Sequence, residues 1–524
     1  FNRNLTGLDD AVVQGQVNIS NNYLELDATI PNLQYGTIAL KQIHLNGLGN
    51  SDTLRFHTDI EDVVINDSLH SPGTVIESIA SNDISDVHIT TSPSNVYYSA
   101  DLSARIQTRE DGFTLSFNPS VFVLNQKRWT IQDGGEIELI NNMIIANRLR
   151  FYQNGQELTV YTRPSDISNS NDVFIALKGF VIEDVVPFVL KTPRLRGLLS
   201  GNIKITDPFN KTKIDFTTTI DDFFLENDSI GVIKGSGNYN LANKSFYAAV
   251  NSDNNPYNFT ANLLYQKQDS TNPLSGTINL KHSEIHILEN YLEGIVSNVH
   301  GRATGILNLS GNEESPKLTG FITLDSTFMK VDYTQCTYQL ANNSVITFNP
   351  DEIDFGAVIL YDVHKKTASL TGKIYHNFFD NFFFNELHIK TSNNFELLNT
   401  TAKDNNEFYG NVTGQADLSL NGFITDMRMS IKGEPTDSSH IVLPLTETAE
   451  SGGLNYIEFI QFGREMTVDR KVRENTNIKV DMELTANPLA TIDVILDETT
   501  GDVIKAQGSG KLFTSAGTRD PLTI

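Results

Sequence analysis

One phrase restricts the fold of this chain more than any other feature of its sequence. It has the form G-x-x-x-G-x-h-x-h, where h is apolar, and it occurs three times: GLLSGNIKI from Gly197, GRATGILNL from Gly301 and GNVTGQADL from Gly410. The starts are 301 − 197 = 104 and 410 − 301 = 109 residues apart. After the second glycine, Leu307 and Leu309 alternate with Asn308 and Ser310, the period of two that marks a strand dry on one face and wet on the other. A sandwich domain of about 100 residues closes on itself and usually announces its boundary. Here the phrase returns without a linker, which favours units that stack on their neighbours in one continuous sheet.

Similar alternation fills the rest of the chain. Val13, Gly15, Val17 and Ile19 alternate with polar residues, as do Leu24, Leu26, Ala28 and Ile30, and Asn21-Asn22 between them reads as a hairpin turn. Further strands are expected at 54–60, 98–106, 113–117, 136–139, 158–162, 257–265, 276–280, 369–374, 386–390, 478–484 and 491–496. Helical stripes are few. Ile182, Val185, Val186 and Val189 form one before the phrase at 197, and Ile285, Leu288, Tyr291, Leu292, Ile295 and Val296 form another before the phrase at 301. A third stripe, 456–462, follows the phrase at 410. The expected fold is therefore all-β: an elongated, curled sheet of U-shaped section, an open trough with a few short helices. Its divisions are 1–180 for the N-terminal part of the trough, 181–300 for a repeat with its leading helix, 301–409 and 410–451 for two more repeats, and 452–524 for a helix-containing segment.

The apolar members of the alternating strands are expected to line the trough: Val17, Ile19, Leu24, Leu26, Ile203, Ile205, Leu307, Leu309, Phe321 and Leu418. A slip of one residue would turn each of them to water.

Composition excludes several functions. A net charge of −25 argues against nucleic acid, whose phosphates need clustered Lys and Arg. The single cysteine, Cys336, rules out an intramolecular disulfide and a thiolate metal cluster within one chain. No apolar run approaches the roughly 20 residues of a membrane-spanning helix. The chain opens on Phe1 with no signal peptide, so it reads as an internal piece whose export signal or anchor lies outside it.

Chemistry-bearing motifs are missing as well. The eleven histidines include no H-E-x-x-H. His282 and His286 flank Glu284 at a spacing that suits metal binding on a helix, but with no third ligand nearby they read as solvent-exposed. Gly508-Ser509-Gly510-Lys511 lacks the first glycine and the Ser/Thr of a phosphate loop, since Lys505 and Leu512 stand there. The carboxylates of 351–354 lack the spacing of a calcium loop. An enzyme is not expected, nor a cofactor or metal.

The phrase also carries a resemblance. GRATGILNLSGNEESPKLTGFITLDSTFMKVDYTQCTYQL at 301–340 resembles a motif of the TamB family of translocation and assembly module proteins, within the AsmA-like group of bridge-like lipid transfer proteins. FELLNTTAKDNNEFYGNVTGQADLSLNG at 395–422 is similar to another segment of that family, and ANPLATIDVILDETTGDVIKAQGSGKL at 486–512 resembles the start of its C-terminal domain. The resemblance implies a β-taco sheet in the periplasm of a diderm bacterium, anchored in the inner membrane by a segment outside this chain. Its far end would meet an outer-membrane barrel of the Omp85 class, TamA-like or BamA-like. The implied cargo is glycerophospholipid, whose acyl chains would lie on the apolar floor. The alternative is a scaffold assisting assembly of outer-membrane barrels or autotransporter secretion. Last, the family's usual continuation is absent beyond Ile524, which implies a truncated C-terminal domain.

Overall fold

The computed structural model describes residues 5–517 apart from 9, 37, 66–68, 92–97, 125, 168, 185, 187–192, 270, 293–294, 313, 378–379, 406–407, 424, 445–459, 462–463, 466–476 and 498–501. Among these the protein is all-β: the longest helix is a six-residue 3-10 turn, His286–Tyr291. The chain forms two compact units, Phe1–Asn254 with Leu264–Gln268 and Asn255–Leu263 with Asp269–Ile524.

Chain order sets the pairing in the first unit. Val12–Asn18, Tyr23–Tyr35, Ile38–Gly49, Thr53–Ile65, Leu69–Ser81, Ile84–Thr91 and Tyr98–Arg109 each pair antiparallel with the next. Shorter strands laid end to end then carry the ladder. Gly112–Phe117 and Ser120–Leu124, for example, both pair with Tyr98–Arg109. Long strands resume from Gln156–Pro164 through Asn171–Val181, Leu195–Thr206, Lys213–Leu225, Asp228–Asn240 and Ser245–Asp253.

The second unit repeats this plan and then departs from it. Leu274–Glu284, Val296–Gly311 and Pro316–Val331 pair in sequence. Cys336–Leu340 and Ser344–Phe348 share the next place in the ladder, followed by Glu352–Tyr361, Thr367–Asn377, Asp380–Thr391 and Tyr409–Phe423. Asp426–Pro435 and Ser439–Pro444 lie along the last of these. Their other neighbours, Asn477–Ala486 and Ala490–Asp497, run parallel to them. The register offset is 477 − 426 = 51 in the first pair and 490 − 439 = 51 in the second. Two strands therefore pass the interruptions at 436–438 and 487–489 in step. A parallel neighbour cannot follow from a tight hairpin and needs a crossover, which here is the segment between Pro444 and Asn477.

The glycine phrase has a steric cause. Gly197, Gly301 and Gly410 have φ of 150°, 144° and 145°. A Cβ on Gly301 would stand 2.6 Å from Thr327 Cα, and one on Gly305 would stand 2.9 Å from Ile322 Cα. Side chains are excluded there because the facing strand comes too close. That strand carries an extra residue. Pairing slips between His300/Arg302 and their partners Phe328/Asp325, leaving Ser326 in the left-handed region at φ 50°. Comparable slips place His282 (56°), Gly356 (59°) and Glu386 (48°) in the same conformation on Leu274–Glu284, Glu352–Tyr361 and Asp380–Thr391. A β-bulge bends its strand and frees a backbone N–H from the ladder. Side-chain oxygens accept from those donors: Asn342 for Ser326 (2.9 Å), Asn421 for Glu386 (2.8 Å), Thr304 for His282 (3.1 Å) and Asp354 for Gly356 (2.7 Å).

The described parts of the first two helical stripes form 3-10 turns. Of the first, Ile182–Asp184 and Val186 are in 3-10 conformation among described residues, and the second gives His286–Tyr291 before Val296 enters a strand. These turns brace the phrase by hydrogen bonding. Glu183 accepts the N–H of Gly197 (3.1 Å), and Glu284, at the end of the strand before the second turn, accepts that of Gly301 (2.9 Å). Of the 456–462 stripe, only Ile460–Gln461 lies among the described residues, and it is strand, paired with Arg464–Glu465.

Candidate functional site

The strand alternation of the second unit collects its apolar side chains on one face. Buried Leu307 lies opposite Ile278 on one neighbour and Gly320 on the other, beside the pair Gly305↔Ile322. The same contiguous cluster takes in Leu324, Ile346, Val358, Leu370, Phe384 and Leu387. It continues across the parallel seam, where Met427, Met429 and Ile431 lie beside Ile478, Val480 and Met482. Each fully buried aliphatic side chain in such a strip contributes about 1.5–3 kcal/mol. Many of its members, among them Ile278, Leu318, Ile353, Ile374, Ile389 and Leu420, are only half-buried. The strip is thus an apolar surface that the strands themselves leave partly uncovered.

The residues singled out from the sequence fall differently on the two units. In the second, Leu307 is in the cluster, half-buried Leu309 shares its face through Leu318, and Leu418 lies between Ile389 and Ile431. Phe321 does not join them. It pairs with Ile306, and both side chains are on the opposite face, more than half exposed. The run Leu318-Thr-Gly-Phe-Ile-Thr-Leu324 has apolar residues on both parities, and Leu318, Gly320, Ile322 and Leu324 take the inner one.

In the first unit, half-buried Ile203 pairs with Ile175 and Phe216, and Ile205 with Val173 and Ile214. Leu24 and Leu26 are half-buried on the face that holds buried Ala28 and Ile43. Val17, opposite Leu24, is 68% exposed. Ile19 is 91% exposed and lies outside any strand, because the strand ends at Asn18 and Ile19 opens the turn closed by the Asn22 N–H on its carbonyl (3.3 Å). The sequence reading missed Met427, Met429 and Ile431, although Asp426-Met-Arg-Met-Ser-Ile431 alternates plainly.

One part of the second unit is closed and polar inside. Phe395–Thr400 lies with its Asn399 N–H on the Thr334 carbonyl (2.9 Å), and the Phe395 ring stacks on Tyr338 at 5.2 Å. The Tyr338 hydroxyl donates to the Glu396 carbonyl (3.0 Å), and the Glu396 N–H donates to Asp362 Oδ2 (2.9 Å). Asp362 Oδ1 also accepts from the N–H groups of His364 and Lys366 (2.9 and 2.8 Å). Burial pushes the Glu396 carboxyl above its ordinary range, and neighbouring Asp362 adds to the shift. Burial likewise pushes the Cys336 thiol up to about 12, so it is not a thiolate at neutral pH. Cys336 is a small buried filler here. His282 and His286 share no helix: the first is a bulge residue and the second opens the 3-10 turn.

Residues 360–523 match the family model described as the TamB C-terminal domain. No curated protein and no solved structure matches the chain.

Proposed function

Because the chain belongs to the TamB family by the domain at residues 360–523, and so has a role in transport or assembly at the cell envelope, we propose that it carries glycerophospholipids between the inner and outer membranes along its apolar face. The single observation that carries this reading is the strip of the second unit, unbroken from Ile278 to Met482 and left half-exposed by its own strands. An acyl chain of about 14 methylenes costs on the order of 11 kcal/mol to expose to water, at about 0.8 kcal/mol per CH₂. An apolar floor removes most of that cost while the head group stays in solvent. The floor serves only if it is continuous, and it passes the change from antiparallel to parallel pairing without a polar interruption at Met427–Ile431. The role is non-enzymatic and periplasmic, and its partners are lipid tails and an Omp85-class barrel.

Leu309→Asp tests the reading against Asn308→Asp. Leu309 is on the strip's face and Asn308 is exposed on the other. A carboxylate at 309 brings water to the floor. Phospholipid transfer and the phospholipid recovered by mass spectrometry from organic extracts of the purified protein should both fall severalfold, with no change for Asn308→Asp. Unchanged transfer and unchanged lipid content in folded Leu309→Asp would leave the barrel-assembly scaffold as the better reading.

A further inference from the structure

Of the chain's six methionines, Met329, Met427, Met429 and Met482 belong to the apolar strip of the second unit. Three of them meet at the parallel seam. Met427 and Met429 lie on Asp426–Pro435 beside Ile478 and Val480, and Met482 lies on Asn477–Ala486 beside Ile431. Met427 is 3% exposed, whereas Met429 and Met482 are half-buried and can be reached from the open side of the strip. Their neighbours Leu418, Leu420, Ile431, Ile478 and Val480 carry no reactive atom. A thioether does, because its sulfur takes an oxygen atom from a peroxide and becomes a polar sulfoxide. The other neighbour of Met482 is Thr514, on Gly510–Gly517, which runs antiparallel to Asn477–Ala486. Direct partners put their side chains on the same face with Cβ atoms about 4.5–5.5 Å apart, so the thioether lies within reach of the Thr514 hydroxyl. Thr514 is 7% exposed, and its Oγ1 has no hydrogen-bond partner among the described residues. A buried hydroxyl left unpaired is costly, and a thioether sulfur is only a weak acceptor. The oxygen of a sulfoxide is a strong one. The floor therefore holds a reactive sulfur and, beside it, an unpaired donor suited to the oxidised product.

We infer that Met429 and Met482 form an oxidant-sensitive modification site in the floor, at which hydrogen peroxide sets a polar oxygen in the path of acyl chains. The consequence for cargo rests on the lipid reading above, while the site itself rests on the side chains of the seam. In the step, a sulfur lone pair attacks one peroxide oxygen, and the O–O bond breaks as the S–O bond forms. The proton on the attacked oxygen passes to the leaving oxygen, which departs as water. Sulfur is oxidised and the peroxide is reduced. The sulfoxides bring water to the strip, as a carboxylate at 309 does, and the Thr514 hydroxyl holds the one at 482.

The intact chain, treated with hydrogen peroxide and then freed of it, is incubated with vesicles of phosphatidylethanolamine and phosphatidylglycerol to test the site. Peptide mass spectrometry should find Met429 and Met482 gaining one oxygen severalfold faster than buried Met427. Lipid taken up from the vesicles should fall severalfold against the untreated chain, with circular dichroism showing the sheet intact. Met429→Leu/Met482→Leu, which keeps volume and apolar character, should take up lipid equally before and after treatment. Thr514→Val should leave the thermal midpoint of the untreated chain unchanged or higher, and after oxidation should lower it below that of the oxidised chain with Thr514. Oxidation no faster at 429 and 482 than at 427, or undiminished uptake by a folded chain oxidised at both, would overturn the proposal. Uptake by neither the treated nor the untreated chain would count against the lipid reading itself, and the selectivity of oxidation with the Thr514→Val shift would then decide the site.

Discussion

The hairpin Val12–Asn18/Tyr23–Tyr35 and the pair Val296–Gly311/Pro316–Val331 are written in the same alternating style and lie in opposite circumstances. Val17 and Leu307 are both inner-parity residues beside a partner strand, yet Val17 is 68% exposed and Leu307 is 8% exposed. Alternation decides which face a side chain takes. Depth is decided by what lies on both flanks, and Val12–Asn18 has a described neighbour on one flank only, whereas Val296–Gly311 is flanked by Leu274–Glu284 and Pro316–Val331. The bulges differ as well. Val12–Asn18 pairs without a slip, while Val296–Gly311 slips twice against Pro316–Val331 and meets it closely enough to exclude a Cβ.

The largest break in this comparison should come from one substitution made at both depths. Leu307→Asp buries an unpaired carboxylate and removes a core side chain, at an expected cost on the order of 3–5 kcal/mol. Val17→Asp should stay within about 0.5 kcal/mol. Thermal unfolding, with hydrogen exchange to locate the damage in Pro316–Val331, reads both. Equal costs would mean that depth is not set by flanking strands.

A smaller effect is expected from glycine to alanine. Gly301→Ala forces a left-handed-side φ on a residue with a Cβ and drives that atom into Thr327, for an expected loss of about 1–3 kcal/mol. Gly15→Ala meets nothing nearer than 3.3 Å at ordinary φ, and should be neutral or stabilising by up to about 1 kcal/mol. The same thermal measurement distinguishes them, and a neutral Gly301→Ala would remove the steric account of the repeated phrase.

Much of this was legible in the sequence for a definite reason. Period two survives any tertiary context, so the strands at 54–60, 276–280 and 478–484 are found within Thr53–Ile65, Leu274–Glu284 and Asn477–Ala486. The glycine phrase was visible too, though its cause is the close approach of the facing strand, which for Gly301 comes about 25 residues away, next to the bulge at Ser326. Other features depend on partners that local pattern does not name. Phe321 could be assigned to either face until Gly320 was seen opposite Leu307. The parallel seam depends on a crossover, and the buried Asp362–Glu396 link joins two polar residues 34 positions apart. The apolar stripe at 285–296 fits a helix or a turn entering a strand equally well, and the Glu284 and Glu289 carboxylates holding Gly301 and Val299 select the turn.

The central claim, that acyl chains lie on the inner-parity face of the second unit, is tested most directly by photo-crosslinking at alternating positions in cells. A photoreactive residue replaces Ile278, Leu309, Ile389 or Leu418 on that face, and Thr277, Asn308, His388 or Ser419 on the other. The expected result is phospholipid adducts at the first four positions and none at the second four. Equal capture on both faces, or protein adducts alone at the first four, would contradict it.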